Sequence, residues 1–189
     1  MLNNLMTQKT QIHRLKLTDF RNYAQAGLAL DGRHVVLVGD NGAGKTNFME
    51  AISFLSPGRG LRRAVLSDIP RLGASGSFTI FAAIDGMAGE ADIGTGTETT
   101  EEDNLVRRLR INGAPAKSVD ELTDHLRILW LTPAMDGLFT GPSADRRRFL
   151  DRLVLSRWRI LKTRKAKRPV KNRPFLYVST TSCQYIRGQ

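Results

Sequence analysis

One stretch of this sequence has the residue types and spacing needed to hold phosphate. Gly39-Asp40-Asn41-Gly42-Ala43-Gly44-Lys45-Thr46 matches the pattern G-x-x-x-x-G-K-[ST] without gap or substitution. Glycines let backbone N–H groups curl around a phosphate, and a helix opening at the end of the loop aims roughly half a positive charge at it. Lys45 is expected to reach the β- and γ-phosphates, and the Thr46 hydroxyl to hold Mg²⁺. The pattern therefore predicts a nucleoside-triphosphate site. Hydrolysis asks for more, namely a carboxylate on a neighbouring strand that holds the metal and helps place water. Such an element reads as four apolar residues followed by two acids. The nearest approach is Phe81-Ala82-Ala83-Ile84-Asp85, but Gly86 follows, so Asp85 reads as a hairpin-turn residue. No catalytic residue is assigned, and at most trace turnover is expected. His13, His34, His125 and the lone Cys183 are scattered and form no metal-binding or nucleophile pattern.

Two further groups of side chains could meet phosphate. Arg59, Arg62 and Arg63 follow the phosphate loop, while Arg146, Arg147 and Arg148 sit early in a later helix, where cations are not favoured by the helix dipole. Both are candidates for contact with DNA, and both can equally be solvated surface arginines. The formal net charge of +11 is unevenly placed: residues 1–156 hold 19 basic and 18 acidic residues, whereas residues 157–189 hold ten basic and none acidic. That tail predicts salt-sensitive, sequence-indifferent attraction to nucleic acid, with Trp158, Phe175, Tyr177 and Tyr185 available for base stacking.

The elements that must position these groups follow from patterning. Residues 12–20 alternate apolar and polar side chains, as in a half-buried strand, and residues 24–30 can return antiparallel after a turn at Arg21-Asn22-Tyr23. Residues 34–38 read as a buried strand feeding the phosphate loop, and Phe48, Ile52 and Leu55 mark a helix over 45–55. Strands are predicted at 78–84, 90–93 and 105–111, separated by a turn at Asp85-Gly86, a polar run over 94–104 and Asn112-Gly113. No crossover helix fits between them, so an antiparallel meander is expected. Ser118-Val119-Asp120-Glu121 is a capping box opening a short helix, residues 127–132 form a buried strand, and Gly141-Pro142-Ser143 opens a last helix with Phe149, Leu150, Leu153 and Val154 as its apolar stripe. Residues 175–181 read as a lone β-prone run with no neighbour to pair with.

Taken together these motifs resemble the RecF family of bacterial recombination mediators. The resemblance rests on four blocks in order. They are Leu17-Thr18-Asp19-Phe20-Arg21-Asn22-Tyr23; the phosphate loop; Asn47 to Ile52 with Gly58-Arg59-Gly60-Leu61-Arg62; and Leu131-Thr132-Pro133, Gly141-Pro142 and Arg146-Arg147-Arg148-Phe149-Leu150-Asp151. It covers about residues 10–155. It implies an ATP-binding head related to chromosome-maintenance and ABC-type ATPases. It further implies an ATP-dependent homodimer, single-stranded or gapped double-stranded DNA and other recombination mediators as partners, and a role in replication, DNA repair and the SOS response to damage. The family's S-x-G-Q signature and its paired acids do not occur here, and the tail from Arg157 does not resemble the family.

The expected fold is α/β: the N-terminal half of a P-loop ABC/SMC-type ATPase head, with a central sheet and an antiparallel β layer. The expected divisions are a flexible N-terminus over 1–11, a partial ATP-binding domain over 12–156, and a basic, disordered or aberrant tail over 157–189. Hydrophobic residues at 41% and charged residues at 25% fit a soluble chain. No apolar run is long enough to span a membrane, and the first eleven residues lack the apolar centre of a signal peptide, so the cytoplasm is the expected location. Two alternatives stay open: a small P-loop phosphotransferase of nucleotide-kinase type, which should carry βαβ units, and a non-functional remnant of the repair protein.

Overall fold

A computed structural model describes residues 10–102, 104–138, 140–157, 176–178 and 185–187. The expected flexible stretch 1–11 falls almost entirely outside the described residues, as does most of the tail.

Alternation of apolar and polar side chains shapes the largest element. β1 (Gln11–Phe20) buries Ile12, Leu15, Leu17 and Phe20 and leaves His13, Arg14, Lys16 and Thr18 in solvent. β2 (Tyr23–Ala29) returns antiparallel to it. The meander follows as β4 (Thr79–Gly86), β5 (Gly89–Thr99), β6 (Leu105–Ile111) and the two-residue β7 (Ala114–Pro115), after β3 (Val36–Val38), which feeds the phosphate loop. Hairpin and meander join into a single antiparallel sheet of order β2-β1-β4-β5-β6-β7, because β1 also pairs with β4, Lys16 standing opposite Phe81.

The expected polar turn over 94–104 is corrected in part, since β5 continues to Thr99. Ala91, Ile93, Thr95 and Thr97 all face inward and keep the two-residue period; two threonines and the intervening glycines hid it from a reading based on hydrophobicity. The first meander turn also falls one residue pair later than expected: Gly86 pairs with Gly89, leaving Met87-Ala88 as the turn and Asp85 within the strand.

α1 (Lys45–Ser53) packs Phe48 and Ala51 on the inner face of this sheet. It ends earlier than residue 55, because the chain folds back over its last turn. Ser53 Oγ donates to the Glu50 carbonyl and accepts the Leu61 N–H, both at 2.6 Å. Gly60, at φ 68, passes so close that a β-carbon there would stand 2.8 Å from the Phe54 ring. Phe54 meets Phe20 and Phe78 edge to face, with centroids 6.2 and 5.8 Å away, and this aromatic trio forms the centre of the core.

The capping box at Ser118 is formed, but it opens only a 3₁₀ turn over Val119–Glu121 and the one-turn α2 (Leu122–His125). β8 (Ile128–Trp130) follows, then α3 (Ser143–Arg157). The expected apolar stripe of α3 is not buried: Leu150 and Val154 are exposed and Phe149 and Leu153 half-buried. Among the described residues the parallel part of the fold consists of two short pairs, β8 with β9 (Leu176–Val178) and β3 with β10 (Tyr185–Arg187). Residues 176–178 therefore do have a strand partner, contrary to expectation. β3 is half-buried rather than fully buried, with Val38 exposed.

Candidate functional site

The phosphate loop lies between the end of β3 and the start of α1. Gly42 and Gly44 adopt left-handed φ values of 88° and 98°. At Gly44 a side chain is excluded twice over, by that conformation and because a β-carbon would stand 2.3 Å from the Tyr23 hydroxyl. The Gly44 carbonyl accepts the first helical bonds of α1, from the N–H groups of Asn47 at 2.7 Å and Phe48 at 3.2 Å. No side chain caps this helix end and no acid stands in its first turn, so its positive pole is left for an outside anion. Lys45 spans the loop, its Nζ donating to the carbonyls of Gly39 at 2.6 Å and Asp40 at 2.7 Å. The Thr46 residue is exposed beside it, where its hydroxyl fits a Mg²⁺ ligand. Exposed donors, an ammonium and a hydroxyl around a strained glycine turn make a fitting cradle for phosphate with its counter-ion.

The loop is held from below by the tip of the β1–β2 hairpin. The Tyr23 hydroxyl donates to the Ala43 carbonyl at 3.2 Å, and its ring packs 4.8 Å from that of Phe48; burial raises the pKa of this phenol. Asn47 Nδ2 donates to Asn22 Oδ1 at 2.7 Å. One turn further along α1, the fully buried Glu50 carboxylate accepts from Arg21 Nε at 2.9 Å, Arg21 Nη2 at 2.7 Å and Arg62 Nη1 at 2.9 Å. Arg62 also donates to Asn47 Oδ1 at 2.9 Å. Hairpin, helix and the segment after the helix are thus tied into one polar network directly under the loop.

This network shows where the arginines named from the sequence stand. Arg62 is engaged by Glu50 and Asn47 while keeping part of its guanidinium in solvent. Arg59 and Arg63 are exposed, Arg63 at a left-handed φ of 54°. On α3, Arg147 is exposed and Arg146 donates to the Gly141 carbonyl at 2.7 Å, while the side chain of Arg148 lies outside what is described. No described hydrogen bond joins the two groups. Asp85 stands opposite Gln11 and Glu90 and makes no described contact with the phosphate loop. No group of three metal-binding side chains exists among the described residues.

Two features were not singled out from the sequence as functional. Beside the loop, Arg21, Asn22, Ser67, Asp68, Pro70, Arg71 and Leu72 line an open cleft of about 520 Å³. Arg71 is anchored there by Asp19 at 2.9 Å, and Leu72 is almost wholly exposed. The turn residues Arg21-Asn22 were the only available signal for it. Arg107 on β6 is the second. It reaches back to the carbonyls of Phe54, Ser56 and Gly58, donates to Thr95 Oγ1 at 3.0 Å, and lies 5.2 Å over the Phe54 ring. Burial lowers its guanidinium pKa to about 10, so it stays charged at neutral pH. It clamps the C-cap residue of α1 and the loop that follows, beside the negative pole of the helix whose positive pole forms the phosphate cradle.

A family model described as the RecF/RecN/SMC N terminal domain matches residues 11–128. Over 151 residues the chain is 72% identical to a protein of Allorhizobium ampelinum named DNA replication and repair protein RecF, covering 80% of this chain and 40% of that protein. The protein of the same name from Rhizobium leguminosarum bv. trifolii is 74% identical over the same span and coverage. Among solved structures, the recombination mediator protein RecF with ATP superposes with a TM-score of 0.65 at 25% identity, covering 80% of this chain and 40% of that one. The chain spans about 40% of the length of the curated relatives it matches.

Proposed function

We propose a function from one premise: the chain belongs to the RecF/RecN/SMC N-terminal domain family. Its role is that of the ATP-binding part of a RecF-type protein of recombinational DNA repair and replication. The observation that carries this is the loop over 39–46, with Lys45 across its mouth and an uncapped helix end behind it. ATP's triphosphate takes the loop, with Thr46 holding Mg²⁺, and its nucleoside takes the adjoining cleft, where Leu72 and Pro70 offer apolar surface and Asn22 and Arg71 polar contacts. Residues 12–156 are the part that does this. The antiparallel meander counts against the nucleotide-kinase reading, which calls for βαβ units.

The relatives' names, a DNA replication and repair protein and a recombination mediator, support DNA and fellow recombination mediators as partners; an ATP-dependent homodimer as the working form and the cytoplasm as the setting are part of what we propose. For DNA, Arg59 and Arg63 are the available contacts near the loop, with Arg147 a further one; Arg62, Arg146 and Arg148 are the remaining candidates. At most trace hydrolysis by this chain is expected, because its sequence carries no apolar strand ending in paired acids. The experiment is Lys45→Ala with equilibrium ATP binding and a phosphate-release assay. ATP affinity falls at least tenfold, since the lysine is the cation that the loop directs at the phosphates. Unchanged affinity overturns the site, and turnover well above background, lost in Lys45→Ala, overturns the hydrolysis statement.

A further inference from the structure

β2 is the outermost strand at one end of the antiparallel sheet, and among the described residues no strand pairs with its outer edge. The Leu30 N–H donates to the His13 carbonyl at 2.7 Å. In an antiparallel ladder every second residue repeats that orientation, so Leu28 and Ala26, opposite Leu15 and Leu17, turn their backbone groups toward β1. Gln25, Gly27 and Ala29 then turn their N–H and C=O groups outward. All three are exposed, and the side chains of Gln25 and Ala29 lie on the solvent face of the sheet.

Sheet edges in natural proteins are guarded by charges, proline, bulges or brevity. The far edge follows that rule: β7 has two residues, one of them Pro115. β2 does not. Its seven residues include no charge and no proline, and its register with β1 is unbroken from Ala29 to Gln25. The chemistry beside this edge is one-signed. On β1, Arg14 stands opposite Ala29 and Lys16 opposite Gly27; both are exposed, and no described ion pair holds either. Strands lie ~4.8 Å apart, so a strand added beyond β2 is ~10 Å from β1. The methyl of Ala29 and the missing side chain of Gly27 leave that path open to a long cation meeting a long acid.

We propose that the β2 edge is a docking site for an extended segment of a partner protein with acidic side chains at alternate positions, which adds to the sheet as a further strand. Backbone bonds to Gln25, Gly27 and Ala29 supply the pairing, and Arg14 and Lys16 select the acidic side chains. A second copy of this chain is the poorer occupant. Its own Arg14 and Lys16 would share the same sheet face with no acid between them.

The probe is a fluorescein-labelled, end-capped peptide of eight residues alternating glutamate and valine, titrated onto the full chain by anisotropy. Amide hydrogen exchange is followed at Gln25, Gly27 and Ala29. Binding is expected with slowed exchange at those amides, and at least tenfold weaker binding for a peptide with lysine in place of glutamate or with alternate backbone nitrogens methylated. Gln25→Pro removes one outward N–H without touching a bond to β1 and weakens binding at least tenfold. Arg14→Glu/Lys16→Glu reverses the preference toward the lysine peptide, a gain that misfolding cannot mimic. Equal binding of both peptides, or no exchange protection at the three amides, overturns the proposal. So does concentration-dependent dimerisation of the chain that Gln25→Pro abolishes, which would make a second copy the occupant.

Discussion

Replacing Glu50 by alanine measures how much of the phosphate site rests on the buried network beneath it. The carboxylate is fully buried and accepts three charge-assisted bonds, two from Arg21 and one from Arg62, whose side chains are 18% and 43% exposed. Removing it leaves the Arg21 guanidinium largely buried without its counter-charge, a loss of about 3–5 kcal/mol for breaking such a pair. Arg62→Ala removes two bonds, to Glu50 and to Asn47, from a half-exposed side chain, and solvent screening holds the Glu50 share to about 1 kcal/mol or less. Because the Glu50 bond is already absent once Glu50 is gone, the double variant should lose only the Asn47 bond beyond Glu50→Ala, a coupling of up to about 1 kcal/mol. For a chain of this size each kcal/mol lowers the melting temperature by about 2–4 °C, so Glu50→Ala should lose about 6–20 °C. Urea unfolding of the four proteins, followed by circular dichroism, gives all of these quantities. A loss below about 1 kcal/mol for Glu50→Ala, or strict additivity with Arg62→Ala, would refute the network as a source of stability.

Gly44→Ala puts a β-carbon onto the Tyr23 hydroxyl at a left-handed φ, and should abolish ATP binding in an equilibrium assay while costing about 1–3 kcal/mol of stability. Arg107→Ala leaves the carbonyls at the end of α1 without their clamp and should cost about 2–4 kcal/mol by urea unfolding; Arg107→Lys, lacking the planar fork, should recover less than half of that. For DNA, a chain ending at Ser156 should lose most of the affinity of the full chain and most of its salt dependence, which amounts to up to ~0.9 log units per log unit of salt for each phosphate contact. Anisotropy at two salt concentrations, with and without ATP, reads this directly, and an unchanged slope would place the DNA contacts in the body of the protein.

The phosphate loop was legible in the sequence because its chemistry is local: glycines, lysine and threonine act within eight consecutive residues. β1, β2 and the meander were legible for a related reason, since alternation of side chains reports directly on a sheet with one wet face. What the sequence did not show depended on partners far along the chain. Arg21 and Glu50 are 29 residues apart, and Arg107 meets carbonyls about fifty residues before it, so no spacing rule connects them. The stripe on α3 was legible as a pattern, but a pattern states only that a face is apolar. Whether something covers it depends on the rest of the fold. The hydrogen bonds of Arg62 to Glu50 and Asn47 likewise separate it from the freely exposed Arg59 and Arg63, a distinction invisible in a run of arginines.

The pairing of β1 directly with β4 has a consequence for how the molecule opens and assembles. Everything from Leu30 to Phe78, including the phosphate loop, α1 and the arginine-bearing segment, is an excursion that leaves the sheet after β2 and rejoins it at β4, both of which pair with β1. Closing a loop of about fifty residues costs about 3–4 kcal/mol of chain entropy, and doubling its length adds only about 0.6. The phosphate loop and the first turn of α1 can therefore open locally while the sheet and the Phe20–Phe54–Phe78 core stay closed. Amides of β1, β4 and β5 should exchange only on global unfolding, while those of the phosphate loop and the first turn of α1 exchange through cheaper local opening. Nucleotide would then act on the weaker unit, tightening the excursion and leaving the sheet as it was.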